Sequence, residues 1–250
     1  MMGELIIAWA EELYRDTGIN LTFVYDGYDR DRLIRGFFNT VYLSLICLAL
    51  SLVIGLVGAW LQGARSRVVR ALLQGYVQFF RNTPPLVQLY FFFFAVGSLL
   101  PTSINRFGMA EPYLSNWHWA IIALSLFAGA FNVEIFRSGI EAVPQSTVEA
   151  AEALGFSRLQ IYVYVVLPLA FRICLPALNN NLVNLVKTTT LAYAIAVPEM
   201  LYMANQIWSD SVNVPEMMTF LLFAYVLLVA ALVWAMHRWE RAMRLPGWGG

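Results

Sequence analysis

The sequence predicts an all-α integral membrane protein with five transmembrane helices, and three observations carry that prediction. Asp, Glu, Lys and Arg are absent between Arg35 and Arg65, between Arg81 and Arg106, between Glu111 and Glu134, and between Glu216 and Arg238. A helix crossing the hydrocarbon core needs about 20 mostly apolar residues, and each window supplies that many. The second observation is compositional: 60% of the residues are hydrophobic and 13% charged, where an average soluble domain is about 25% charged. Too little polar surface remains to cover a soluble fold. Third, the apolar stretch 176–198 holds a single charge, Lys187, the only lysine in the chain.

The elements follow in chain order. An N-terminal segment, 1–35, precedes the transmembrane domain, 36–244, and a short tail, 245–250, follows it. Within the segment, Leu5, Ile6, Trp9 and Leu13 recur at helical spacing, which predicts an interfacial helix. The following run, Asp26 to Arg32, reads as a solvated loop. No signal peptide is evident, so the first span is expected to direct its own insertion. That span is predicted at 36–61. The second, 71–99, contains Arg81 and the pair Pro84-Pro85. It is predicted as one broken helix, because proline removes a backbone donor and disrupts the preceding turn. The remaining spans are predicted at 117–136, 176–198 and 217–236.

Positive charge orients the spans, since short cytoplasmic loops collect Lys and Arg. Five spans put the loop holding Arg65, Arg67 and Arg70 on the same side as the tail holding Arg238, Arg241 and Arg244. That side is predicted to be cytoplasmic, which leaves the N-terminus outside, in the periplasm. Trp9, Trp117, Trp119, Trp208 and Trp239 fall near span ends, where amphipathic rings favour the interface.

The loop between the third and fourth spans, 141–168, is the informative one. Ser146 and Glu149 have capping-box spacing, predicting a helix start at Ser146. The helix stops at Gly155, and Ser157 with Gln160 starts another, which Pro168 ends or kinks. Ala150, Ala151 and Ala153 leave the backbone approachable, while Leu154 and Phe156 are apolar knobs with no place in lipid. Such a surface suits docking into a groove on another protein.

Glu149-Ala150-Ala151, Gly155 and Val165-Val166-Leu167-Pro168 resemble the EAA loop of ABC importer permeases, with Val165 where isoleucine is usual. Other stretches resemble the polar amino acid uptake branch, the histidine, glutamine and glutamate type. These are Arg81 to Leu89, Gly36-Phe37-Phe38-Asn39-Thr40, Val133 to Ile140, and Leu185 to Leu191, with Thr190 where serine is usual. The resemblance covers about Gly36 to Arg244. It implies the type I ABC importer permease fold, with a cytoplasmic coupling helix gripped by a dimer of ATP-hydrolysing subunits. Glu149, Ala150, Ala151, Leu154, Gly155 and Phe156 would be its contact residues. It further implies a bacterial inner-membrane location, a second permease subunit (identical or sibling), a periplasmic substrate-binding protein and a polar amino acid substrate. No cofactor is expected on this chain; ATP and Mg would be used by the partner ATPase.

Charge inside a bilayer costs at least about 2.5 kcal/mol per residue, so each such residue asks for a reason. Asn180, Asn184 and Lys187 are spaced to share a helix face and, with Thr188, are candidates for a hydrated path in which Lys187 favours a carboxylate. Alternatively Lys187 pairs with Glu134 or bonds freed backbone carbonyls. Arg81 either neutralises carbonyls at the helix break or helps gate the path. Glu134 is an interfacial carboxylate, a partner of Lys187 or part of the gate.

The alternatives in function class are a gradient-driven secondary transporter and a passive channel. No inverted repeat is evident, which argues against the first. An enzyme is not expected: no GxxxxGK[ST] phosphate loop is present, and His118 and His237 lack metal-ligand spacing. The formal net charge of zero offers no case for nucleic acid. Cys47 and Cys174 lie in apolar surroundings and read as small hydrophobes.

Overall fold

The computed structural model describes residues 2–104, 106 and 108–243; Arg244 and the predicted tail lie outside the described residues. The helices are α1 (Met2–Thr17), α2 (Thr22–Tyr25), α3 (Gly27–Gln62), α4 (Arg67–Asn82), α5 (Pro85–Tyr90) and α6 (Asn116–Glu141). They continue as α7 (Gln145–Ala153), α8 (Arg158–Ile161), α9 (Leu167–Thr188), α10 (Met200–Ser211) and α11 (Val214–Met243). Among the described residues, four stretches are long and apolar enough to cross a membrane: Gly27–Gln62, Asn116–Glu141, Arg158–Ile195 and Val214–Ala242. Pro85–Leu99 is a shorter apolar helical stretch. An exposed antiparallel ribbon pairs β1 (Thr102–Ile104) with β2 (Ala110–Pro112).

Helix ends depart from the sequence expectation in informative ways. The run from Asp26 to Arg32, expected as a solvated loop, is helical from Gly27 onward, and Asp29 is buried. Its charges find partners: Arg32 meets Asp210 at 2.7 Å and Asp29 at 3.5 Å. Pro176 was expected at the start of a span and instead lies inside α9. Pro168, expected to end or kink the second helix, does not end it: the helix runs from the π-helical turn Tyr162–Val166 straight into α9, and the N–H that Pro168 lacks falls just after that junction. The expected cap at Ser146 does not form. Pro144 takes the N-cap position of α7, with no side-chain bond. The second box does form, as Ser157 N donates to Gln160 Oε1 at 2.8 Å and Gln160 N to Ser157 Oγ at 3.4 Å.

The chain divides into two compact units. The first comprises Met1–Ile46, Leu89–Ile121 and Val186–Ala230. Its core gathers Leu33, Met200, Ala204, Ile207, Met217 and Leu221. The N-terminal segment is tied into this unit by buried polar bonds. Asn20 N donates to Glu216 Oε1 at 2.8 Å, and Asn213 Nδ2 donates to Asn20 O at 3.0 Å and Thr22 Oγ1 at 3.2 Å.

The second unit comprises Cys47–Gln88, Ile122–Leu185 and Ala231–Gly250. Small residues let its helices approach closely, the usual device where lipid supplies no hydrophobic drive. A Cβ on Gly58 would sit 2.3 Å from Val133 Cγ2, and one on Gly139 2.8 Å from Ala170 O. Buried amides join the same helices: Asn181 Nδ2 donates to Asn132 Oδ1 at 2.8 Å, and Asn132 Nδ2 to Ser51 Oγ at 3.2 Å. Cys47 and Cys174 are both buried.

Candidate functional site

In the second unit, the break at Pro84-Pro85 positions Arg81. Pro84 cannot donate to the Phe80 carbonyl four residues back, and carbonyls freed this way in a bilayer must find another donor. Gln88 is that donor. Its Nε2 reaches Phe80 O at 2.9 Å, Thr83 O at 3.0 Å and Thr83 Oγ1 at 2.6 Å, with the side chain buried. Gln88 thus takes the Phe80 carbonyl, one of the groups that Arg81 was expected to neutralise. Its guanidinium lies 3.7 Å from Glu134 and 5.4 Å from the centroid of the Phe131 ring.

Glu134 is held on three sides. Arg137 Nη2 donates at 2.8 Å, Gln62 Nε2 at 3.3 Å, and Arg81 approaches as above. Arg137 is in turn bound by Glu141 at 2.7 Å. Arg81 and Glu134 line a cavity of about 430 Å³ together with Phe131, Ser138, Ile173 and Cys174. A cation and an anion side by side on the wall of a cavity this size complement a small zwitterion. Asn180 and Asn184, one turn apart on α9, are both exposed.

Also in the second unit, α7 ends in a Schellman motif. Gly155 has φ +84°, its N–H bonds Glu152 O at 2.9 Å, and Phe156 N bonds Ala151 O at 3.2 Å. Only a residue without Cβ takes that conformation freely. The turn leaves Leu154 78% and Leu159 72% exposed, with Glu149, Ala150, Gly155 and Phe156 also exposed. Ala151 corrects the expectation of an approachable alanine surface. It is buried among Val143, Ile161, Val166 and Ala170, because helical period turns it inward.

In the first unit, Lys187 is exposed and Thr188 half-buried at the end of α9. A 3-10 segment, Thr189–Ile195, follows, and the chain turns at Ala196 with φ 58°. This turn is where sequence reasoning missed a residue. Glu199 is fully buried and caps α10, accepting from Leu201 N at 2.9 Å, Tyr202 N at 2.8 Å and Tyr225 Oη at 2.9 Å. Burial pushes its carboxyl up to about 7, against the pull of its Leu201, Tyr225 and Tyr202 donors. Asn39 Nδ2 donates to Pro198 O at 2.7 Å, Met200 N donates to Thr40 Oγ1 at 3.0 Å, and Asn116 Nδ2 donates to Ala196 O at 2.6 Å. A carboxylate directly after a proline and before an apolar helical run was the available signal for Glu199. For Gln88 it was an amide four residues beyond Pro84.

Comparisons with known proteins agree with this architecture. The family described as binding-protein-dependent transport system inner membrane component matches residues 51–245. The Escherichia coli (strain K12) glutamate/aspartate import permease protein GltJ is 32% identical over 214 residues, covering 85% of this chain and 87% of that protein. The Bacillus subtilis (strain 168) probable glutamine ABC transporter permease protein GlnM is 29% identical over 214 residues, covering 86% and 93%. Among solved structures, one described as an amino acid ABC transporter with histidines superimposes with a TM-score of 0.75 at 24% identity, covering 85% of this chain and 94% of that one. That last likeness is one of fold. On the strength of the family match and the permease relatives, this chain belongs to the inner membrane components of binding-protein-dependent transport systems.

Proposed function

We propose that this permease carries polar amino acids into the cell, driven by a separate ATP-hydrolysing subunit. The observation that carries the substrate class is the Arg81–Glu134 pair, 3.7 Å apart on a cavity wall. Arg81 takes the α-carboxylate and Glu134 the α-ammonium, so the pair that closes the empty path is exchanged for contacts to the substrate. Asn180 lines a separate cavity of the same unit, with Asn179, His237 and Glu240; in this reading Asn180, Asn184, Lys187 and Thr188 are further polar residues of the path. The relatives named above, a glutamate/aspartate permease and a probable glutamine permease, support the same substrate class.

In this reading the chain crosses the membrane five times, with Pro85–Leu99 completing the second crossing and the N-terminus on the periplasmic side. A loaded binding protein meets that side, and a second permease subunit, identical or sibling, completes the path. Two ATPase copies, using ATP and Mg, grip α7 and its exposed Leu154, Gly155 and Phe156 on the cytoplasmic side. Ala151 serves there from within, by holding α7 on its own core.

The test is co-expression with an ATPase subunit from the same genome, followed by ATP hydrolysis in nanodiscs with a loaded binding protein. Wild type should co-purify with the ATPase and be stimulated by the binding protein. Glu149→Lys, on the exposed face of α7, should lower the stimulated rate about tenfold, the effect of one lost interaction of some 1.4 kcal/mol. Uptake that persists without any ATPase and follows the proton gradient would instead make the chain a secondary transporter.

A further inference from the structure

We propose that the first unit holds a phospholipid at the N-terminal end of α3, with its phosphodiester on Arg30 and one acyl chain in the groove below. The groove has a volume of about 280 Å³ and runs along Phe23, Ile34, Phe37, Phe38 and Phe220, with Arg30 the one charged residue on its wall among the described residues. Arg30, Ile34 and Phe38 follow at intervals of four, so they form one column on α3. The cation stands at the helix start, and Phe38 lies about 12 Å deeper at 1.5 Å per residue. One leaflet of hydrocarbon is about 15 Å thick, so the column runs from headgroup level most of the way through a leaflet. A charged group above a continuous apolar track is the order of groups in a phospholipid itself.

The surroundings favour Arg30 for the phosphate. Its guanidinium lies over the first turn of α3, where a Cβ on Gly27 would be 3.6 Å from Nη2. The neighbouring Arg32 is committed to Asp210 and to Asp29, which also engages the Asp29 carboxylate. Ile34 is 48% and Phe38 65% exposed, so the column opens outward. Phe23 and Phe220, with ring centroids 5.0 Å apart, wall one side. Arginine pairs with phosphate oxygens through two parallel N–H bonds, which holds a headgroup in one orientation.

The test uses the full chain in nanodiscs of phosphatidylethanolamine and phosphatidylglycerol, doped with a phospholipid carrying a diazirine midway along one acyl chain. After irradiation, label is located by peptide mass spectrometry. Label on peptides 30–38 and 220–224 should exceed that on the exposed stretch around Val53 and Val57 about tenfold, the mark of a bound rather than a bulk lipid. Ile34→Trp, which fills the groove, should bring it to the level of that stretch. Arg30→Gln should lower it about tenfold, and a labelled diacylglycerol lacking the phosphate should do no better on wild type. Equal labelling of both stretches would overturn the proposal, since the groove then meets bulk lipid alone. So would disulfide cross-linking of Phe38→Cys between two copies of the chain with no lipid label, which would assign the groove to a second permease subunit.

Discussion

Two helix interruptions in this permease are repaired by opposite means. At Pro84-Pro85 the freed carbonyl is satisfied by Gln88, a neutral amide eight residues away on the next turn of chain. At Ala196–Glu199 the repair uses a buried carboxylate and donors from α3, α6 and α11, up to 159 positions distant. The first repair is local and needs nothing from other helices. The second joins α10 to α11 through one acid, while α3 and α6 bond the backbone carbonyls beside it, so its integrity reports on the packing of the first unit. Neutral repair is indifferent to pH, whereas a buried acid is not. The break beside Arg81 is closed within its own stretch of chain, and the turn before α10 is closed where several helices meet.

The largest effect should come from Glu199. Replacing it by leucine strands the Leu201 and Tyr202 N–H groups and the Tyr225 hydroxyl in a buried site. At about 1–3 kcal/mol per stranded group, the loss should be about 4 kcal/mol, read as a fall in Tm or as aggregation in detergent. Glu199 also sets a pH dependence. Its folded value, about 7, lies above the ordinary 4.5, so the folded chain binds this proton more tightly than the unfolded chain does. The resulting stability is complete below about pH 4.5 and is lost as pH rises through 7. Glu199→Gln should remove about 3 kcal/mol of that dependence between pH 4.5 and 8 in a Tm series, and an unchanged slope would show that the acid is not the shared repair.

A smaller effect is expected at the local repair. Gln88→Leu leaves the Phe80 carbonyl and the Thr83 groups without their donor and should cost about 2 kcal/mol, with the same loss at pH 5 and pH 8. A pH-dependent loss would mean that Arg81 and Glu134 had taken over the break. The smallest effect lies at Val212, which ends α10 with φ 55° while its side chain is 84% exposed. A β-branched residue is strained in the left-handed region, and no side-chain contact is lost on removing it. Val212→Gly should raise stability by about 1 kcal/mol, seen as a Tm increase of a few degrees.

The sequence made the spans legible because charge-free runs are a property of the chain alone. Proline at 84 and 85 marked a break for the same reason, and Gly155 and the Ser157–Gln160 box marked the ends of short helices. One misreading involved a partner far away in sequence and another a competing residue close by. Asp26 to Arg32 looked like loop because its charges had no visible company, and Asp210 supplies it. Ser146 looked like a cap, yet Pro144 already fixes the entry to α7. Arg81 offered two roles in the sequence, and its surroundings, Gln88 on the Phe80 carbonyl and Glu134 at 3.7 Å, come from contacts that the sequence does not display.

By itself, then, the sequence determined a multi-pass membrane protein, the place of its proline break, and a helix-turn-helix segment with exposed apolar knobs. Each of these follows from local quantities: apolar length, missing N–H groups and capping geometry. The tertiary structure alone decided that Ala151 faces inward, that Glu134 is shared by Arg137, Arg81 and Gln62, and that Glu199 gathers the turn before α10. A buried polar atom must find a partner, but which one is set by how helices distant in the chain pack against each other.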